Sequence, residues 1–87
     1  MKAVVTVIGK DMVGILAKVS TTCAEANANV LEVTQSVLQD FFAMIMVIDI
    51  TEMNCEIHTL QDKLRENVES MKIHVMHEDI FNSMHRI

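Results

Sequence analysis

The sequence has few residues that break regular secondary structure and few large aromatic side chains. It has no proline, tryptophan or tyrosine and only two glycines among 87 residues. Hydrophobic residues make up 51% of the chain but aromatic ones only 3%, so Val, Ile, Leu, Met and Ala must build an adaptable core. No Pro- or Gly-rich linker divides the sequence, and a chain of this length forms one core. We therefore expect residues 1–87 to make a single domain.

Positive charge is also scarce. Seven Lys and Arg stand against twelve Asp and Glu, which gives a formal net charge of −5, and the basic residues are scattered. Such a chain repels phosphate backbones and anionic lipid, so neither nucleic acid nor a membrane is an expected partner. Apolar runs stay below the ~18 residues of a membrane span, and the first residues lack a cleavage signal. We expect a cytoplasmic protein.

Metal-binding and redox-active side chains are few. Cys23 and Cys55 are too few for a disulfide framework, and we interpret them as reduced, packed thiols. His74 and His77 lie three residues apart, which points them to opposite faces if both belong to a strand; they converge only if the chain is already helical at His77. A metal or redox sensor using Cys23 or the histidines is therefore the weakest function considered, and no metal or cofactor is predicted.

The sequence does contain regular hydrophobic periodicity. β-branched and alternating apolar runs predict four strands, over residues 3–8, 31–37, 41–50 and 72–76. In the second of these, Leu31, Val33, Gln35 and Val37 alternate with Glu32, Thr34 and Ser36, which predicts one wet face.

Apolar residues at helical spacing predict three helices. One begins at Ile15 and ends before the Asn-Ala-Asn segment at 27–29, and a second covers residues 57–71 with Asn54 as its N-cap. A short amphipathic helix follows over residues 78–87, with one apolar side made of Ile80, Phe81, Met84 and Ile87.

This order of elements predicts an α+β, ferredoxin-like βαββαβ sandwich, in which two helices cover one face of an antiparallel four-stranded sheet. The core spans about residues 2–77, and the short C-terminal helix extends it over about 78–87. The strand over 41–50 is apolar on both faces, although the two helices can cover only one. The C-terminal helix, a second protomer or both must cover the other face, unless this strand is simply core under its own helices.

Ferredoxin-like folds host unrelated functions, so the site residues must decide between them. An RNA-binding domain needs aromatic residues in its central strands and a basic surface. A soft-metal carrier needs two cysteines after the first strand, and an acylphosphatase-like hydrolase needs an arginine there. The segment at 9–14, Gly-Lys-Asp-Met-Val-Gly, contains neither a cysteine nor an arginine. No nucleophile and base are forced together by spacing, so no catalytic residue is predicted and we do not expect an enzyme.

The segment from Gly9 to Gly14 is the candidate site. Two glycines five residues apart let the backbone turn tightly, and the helix that follows begins with unpaired N–H groups that favour a carboxylate. Asp11 is suited either to cap that helix or to accept a ligand's ammonium group. The same residues are also compatible with a tight turn that has a helix cap and binds no ligand.

The same segment resembles the ACT domains, in which a strand leads into Asp-x-Pro-Gly-Ile-Leu or a close variant, a helix, and Asn-Val or Asn-Ile. Here the pattern is Asp11-Met12-Val13-Gly14-Ile15-Leu16 and then Asn29-Val30, with Gln35 inside the second strand. The resemblance covers essentially the whole chain. It is greatest to the free-standing ACT proteins of the UPF0237 group, which are similar to the glycine cleavage system transcriptional repressor. The segment from Met76 to Phe81 fits the UPF0237 group closely.

The resemblance implies a regulatory domain that binds an amino acid between two protomers, at the first turn of one and the second strand of the other. Carried over by position, the residues facing the ligand are Asp11, Met12, Val13 and Gly14; Asn29 anchors the entry into the second strand, and Ile15 and Gln35 complete the set. Val13 stands where the family has proline, which frees one backbone N–H for a ligand carboxylate.

Two functions remain for comparison with the structure. The first is a homodimer that senses an amino acid and thereby changes its affinity for a partner protein. The second is a structural dimerisation module whose turn binds no ligand.

Overall fold

The computed structural model describes residues 1–10, 13–69 and 71–84. Its elements follow the predicted order: β1 (Lys2–Lys10), α1 (Ile15–Glu25), β2 (Asn29–Leu38), β3 (Phe41–Asp49), α2 (Ile57–Asn67), β4 (Lys72–His77) and α3 (Glu78–Met84). The predicted βαββαβ order with a C-terminal helix is confirmed.

The four strands form one antiparallel sheet in the order β2-β3-β1-β4. The two central strands, β1 and β3, are the β-branched and continuously apolar ones, as expected for strands covered on both sides. β2 and β4 are the edge strands. Gln39, at φ 55°, makes the tight turn that joins β2 to β3.

The core lies between the sheet and the pair α1 and α2. Alternate residues of the central strands are buried there, because successive side chains of a strand point to opposite faces. Its largest fully buried side chains include Met44, Met46, Ile48, Leu60, Leu64, Ile73 and Ile15. Methionine and branched aliphatic residues therefore fill the space that aromatic rings occupy in other small domains.

The start of α2 differs from the prediction. Asn54 is not its N-cap, because the helix begins at Ile57 and Glu56 occupies the cap position without a side-chain hydrogen bond. Asn54 instead ties the loop to the end of α1: its Nδ2 donates to the Glu25 carbonyl at 3.1 Å, and its backbone N–H donates to the Ala26 carbonyl at 3.0 Å. The asparagine satisfies the C-terminal carbonyls of one helix rather than the N-terminal amides of the next.

The edge strand β2 also departs from simple alternation. Its pairing with β3 shifts between Val30 and Glu32, so Leu31 falls at a β-bulge. Val30 packs against the core, whereas Val33 and Val37 remain 37% and 57% exposed even though they lie on the helix side of the sheet. The helices therefore leave this edge of the sheet uncovered on the side where the alternation predicted burial.

The second face of the sheet is partly covered by α3. This helix packs against β1 and β4, as expected if the C-terminal segment folds back over the sheet. Its coverage is incomplete, because Ile8 and Ile45 on that face stay 48% and 41% exposed. We call this side, which carries Ile8, Ile45 and α3, the open face.

Candidate functional site

The turn between β1 and α1 combines an exposed residue with an unusual backbone. Val13 is fully exposed, and Gly14, the N-cap of α1, has φ 85° in the left-handed region that glycine adopts without strain. Asp11 and Met12, the first two predicted ligand contacts, lie outside the described residues. The predicted role of Asp11 as a helix cap is therefore left as a prediction.

The start of α1 offers backbone donors to an anion. The Gly14 carbonyl accepts the first helical hydrogen bond from the Lys18 N–H at 3.0 Å, and no side chain of the described residues caps the amides that precede Lys18. The first turn also holds no acidic residue. The Ile15 side chain is buried in the core, so of this predicted contact only the backbone N–H can face a ligand. The helix dipole adds positive potential at these amides.

Gln35 lies on the same side of the sheet as α1. It pairs with Met44 of β3, and Met44 in turn pairs with Val7 of β1, so the three side chains share the helix side. Met44 and Val7 are fully buried, but Gln35 at the edge is exposed. We define the β2 edge surface as Val33, Gln35 and Val37 with the free backbone edge of β2.

Asn29 is far from this turn within one protomer. It opens β2 and pairs with Asp49, which pairs with Lys2 at the start of β1, whereas the turn follows Lys10 at the other end of that strand. The ten residues of β2 span about 30 Å. Asn29 and the turn can share one ligand only if they come from two copies of the chain.

The thiols and histidines do not form a common site. Burial raises the pKa of the Cys23 thiol to about 11, and Cys55 is half-buried. His74 pairs with Thr6 and His77 with Ala3, so the two imidazoles lie on opposite faces of the sheet as predicted. Within the described ranges, no three His, Cys, Asp or Glu side chains are grouped to hold a metal ion.

Sequence reasoning missed a cavity of about 380 Å³ on the open face. It lies between the sheet and α3, and Thr6, His74, Phe81 and Met84 are among the residues that line it. The signal in the sequence is weak: Thr6 is a polar residue inside the apolar run of β1, His74 is one of three basic residues in β4, and nothing local indicates that Thr6 and His74 adjoin.

Comparison with known proteins identifies the family of the chain. The sequence profile of the ACT domain matches residues 2–78. The UPF0237 protein of Clostridium perfringens is 46% identical, with 100% of both chains covered. The UPF0237 protein of Methanopyrus kandleri is 42% identical, with 99% of this chain and 98% of that one covered.

Solved structures show the same architecture. The ACT domain protein from Streptococcus pneumoniae superposes with a TM-score of 0.77 at 32% identity, covering 93% of each chain. A putative glycine cleavage system transcriptional repressor has a TM-score of 0.70 at 19% identity over 85% of this chain and 43% of its own, which shows a shared fold. In the described part of the chain, no helix is long and apolar enough to cross a bilayer. The full-length matches and the observed topology together show that the chain belongs to the ACT domain family.

Proposed function

We propose that this ACT domain is a non-enzymatic regulatory module of the cytoplasm that binds a free amino acid between two copies of the chain. The observation that carries the proposal is the start of α1 at Gly14, which no side chain of residues 1–10, 13–69 or 71–84 caps, at the end of the sheet where the β2 edge surface is uncovered. One feature offers donors to a carboxylate, and the other offers a surface for a second copy.

The chemistry of the turn suits an amino acid. The ligand's α-carboxylate accepts hydrogen bonds from the first N–H groups of α1, where the helix dipole is positive. The sequence supplies Asp11 in the same turn as the candidate partner for the α-ammonium group. Gln35, exposed on the helix side of β2, is the candidate contact for the polar part of the ligand.

A second copy completes the site. Two β2 strands that pair antiparallel about a two-fold axis extend the sheet and cover Val33 and Val37. The same pairing brings the beginning of one β2, with Asn29, toward the end of the other. The strand register places the Asn29 side chain on the open face, with Asp49 and Lys2, so the pairing brings the Asn29 end of one β2 strand, and not its side chain, toward Val13 of the other copy.

Regulation follows from the position of the ligand. A molecule held by both protomers stabilises one relative arrangement of the pair by its differential affinity for that arrangement. Any protein that recognises the paired form then binds more tightly when the amino acid is present, and the coupling is reciprocal. The output we propose is a change in affinity for a protein partner.

The test is a thermal-shift screen of the purified protein against the twenty amino acids, with the oligomeric state followed by light scattering. A ligand that binds the folded form raises the melting temperature by an amount that grows with the logarithm of its concentration above Kd. Gln35→Ala should weaken the response, and Ser36→Ala on the opposite face of the same strand should not. A flat screen from a confirmed homodimer would overturn the proposal.

The alternative function is a structural dimerisation module without a ligand. The exposed valines of β2 favour it as well, because an apolar sheet edge drives pairing by itself. Under this alternative the protein dimerises but no amino acid changes its melting temperature. The thermal screen and the scattering measurement together therefore distinguish the two functions.

A further inference from the structure

The cavity on the open face has an apolar end and a cationic end. Two rows of paired residues run across its floor toward β4: Ile45, Thr6 and His74 in one, and Ala43 and Ile8 in the next, which continues to Lys72 on the adjoining surface. Each row runs from an apolar residue of β3 to a basic residue of the edge strand β4. The polarity of the floor therefore changes along one direction.

The helix α3 closes the cavity from above. Phe81 and Met84 of α3 line the space together with Met76 of β4, so the roof is apolar. Methionine side chains adapt to ligands of different shape because they are unbranched and flexible. The volume of about 380 Å³ lies at the lower end of the range for small-molecule sites.

Within the described part of the chain, no carboxylate forms an ion pair at the basic end. Lys72 and His74 are exposed at the β4 edge, and among the described residues neither forms an ion pair with a carboxylate. Arg65 lines the adjoining surface and donates from its Nε to the Ile73 carbonyl at 3.0 Å. In a chain of net charge −5, this grouping of cations beside an apolar cavity is distinctive.

We propose that the open face binds a small monocarboxylic acid with an apolar chain, at a site separate from the β1–α1 turn. The apolar chain lies between Ile45 and the roof formed by Phe81 and Met84. The carboxylate lies at the β4 edge, where Lys72 supplies charge and His74 and the Thr6 hydroxyl supply hydrogen-bond donors.

Charge complementarity favours this occupant over a second copy of the chain. Two open faces brought together about a two-fold axis would bury the Lys72 and His74 edges without opposing carboxylates from the lining residues. Burying unpaired cations is costly. An amphipathic acid instead leaves its charged end at the rim, partly in water, and buries only its apolar chain.

The probe is octanoate, compared with 1-octanol and octylamine, and the readout is NMR of methionine methyl groups in the intact chain. Octanoate should shift the Met76 and Met84 signals in a saturable way and leave Met53, which packs against the core away from this face, unchanged. Octanol should bind more weakly than octanoate, and octylamine more weakly still, because the Lys72 ammonium group repels it.

Variants distinguish the contribution of the Lys72 charge to ligand affinity from the contribution of the cavity's shape. Lys72→Gln should weaken octanoate about two- to fivefold, the loss expected for a partly exposed ion pair, and leave octanol unchanged. Lys63→Gln, at an exposed lysine of α2, is the matched control and should change neither. Phe81→Ala should weaken both ligands because it opens the roof, and an unshifted Met46 signal would show that the core is intact.

Three results would overturn the proposal. The first is the absence of saturable shifts at Met76 and Met84. The second is equal affinity for octanoate and octanol in both the parent and Lys72→Gln. The third is a change of the same two signals on dilution without any ligand, because a second copy would then occupy the face. None of these results depends on amino-acid binding at the turn.

Discussion

Gln35 pairs with Met44 across β2 and β3, so both side chains lie on the helix side of the sheet, yet only Met44 is buried. The difference arises because α1 and α2 cover the central strands and the beginning of β2 but leave the part of β2 after Val30 exposed. A polar residue and two valines are thereby exposed together at a free sheet edge. An edge of this composition is suited to contact another chain and a polar ligand at once.

The pairing proposed for this exposed edge predicts that dimerisation is sensitive to charge at Val37. Val37→Lys should weaken dimerisation about tenfold or more, because an ammonium group replaces an apolar side chain that the partner strand would cover at the β2 edge. Thr34→Lys adds the same charge on the other face of the strand and should weaken it less. Analytical ultracentrifugation of both variants provides the comparison. Equal effects of the two lysines would show that the helix side of β2 is not the interface.

Local pattern predicted the elements because the determinants of each element are local. The helical spacing of Ile15, Val19 and Cys23 specifies α1, and these three residues are buried as that spacing requires. Strand β3 was predicted from a continuous apolar run, which is typical of a central strand covered on both sides.

The remaining features depend on contacts between distant segments. Asn54 was predicted as a helix cap because its residue type suits that role, but its partner is Glu25, 29 residues away in sequence. The open-face cavity likewise needs Thr6, His74 and Phe81 to be brought together by sheet pairing and by the return of α3. Periodicity in one segment carries no information about such pairings.

The backbone of Gly14 predicts a specific cost for substitution. Gly14→Ala should lower the free energy of unfolding by about 1–2 kcal/mol, because φ 85° is unfavourable for a residue with a Cβ. Apart from its chain neighbours and its own helix backbone, no atom of the described residues lies within 4 Å of the added Cβ, so the cost is conformational rather than a clash. Gly14→Asn should cost less, since asparagine tolerates this region. Urea denaturation measures both, and a larger loss with asparagine would contradict the conformational explanation.

The carboxyl group of Asp49 should titrate below its ordinary range. Thr51 lowers the Asp49 pKa, first through its side chain and then through its backbone N–H, which donates to Oδ1 at 2.9 Å. Because the folded pKa is lowered, any stabilisation from this contact is present at neutral pH and is lost as the pH falls below about 4. Thr51→Ala should move the Asp49 pKa part of the way back, and Thr21→Ala should leave it unchanged. A carboxyl carbon NMR titration reads the value directly, and an identical Asp49 titration in Thr51→Ala would show that the hydroxyl has no effect.

Burial of Cys23 makes the stability of the domain fall in alkaline solution. Its pKa rises from 9.0 to about 11, so between these values the unfolded chain loses a proton that the folded chain keeps. The contribution of the buried thiol is complete below pH 9 and declines as the pH rises toward 11. Urea denaturation over this range should therefore show a flatter decline in Cys23→Ala than in Cys55→Ala, while lysine titration remains common to both.

In the native protein, a thiol reagent should modify half-buried Cys55 well before Cys23. Equal slopes in the two variants, or faster labelling of Cys23, would contradict the burial that the structure shows.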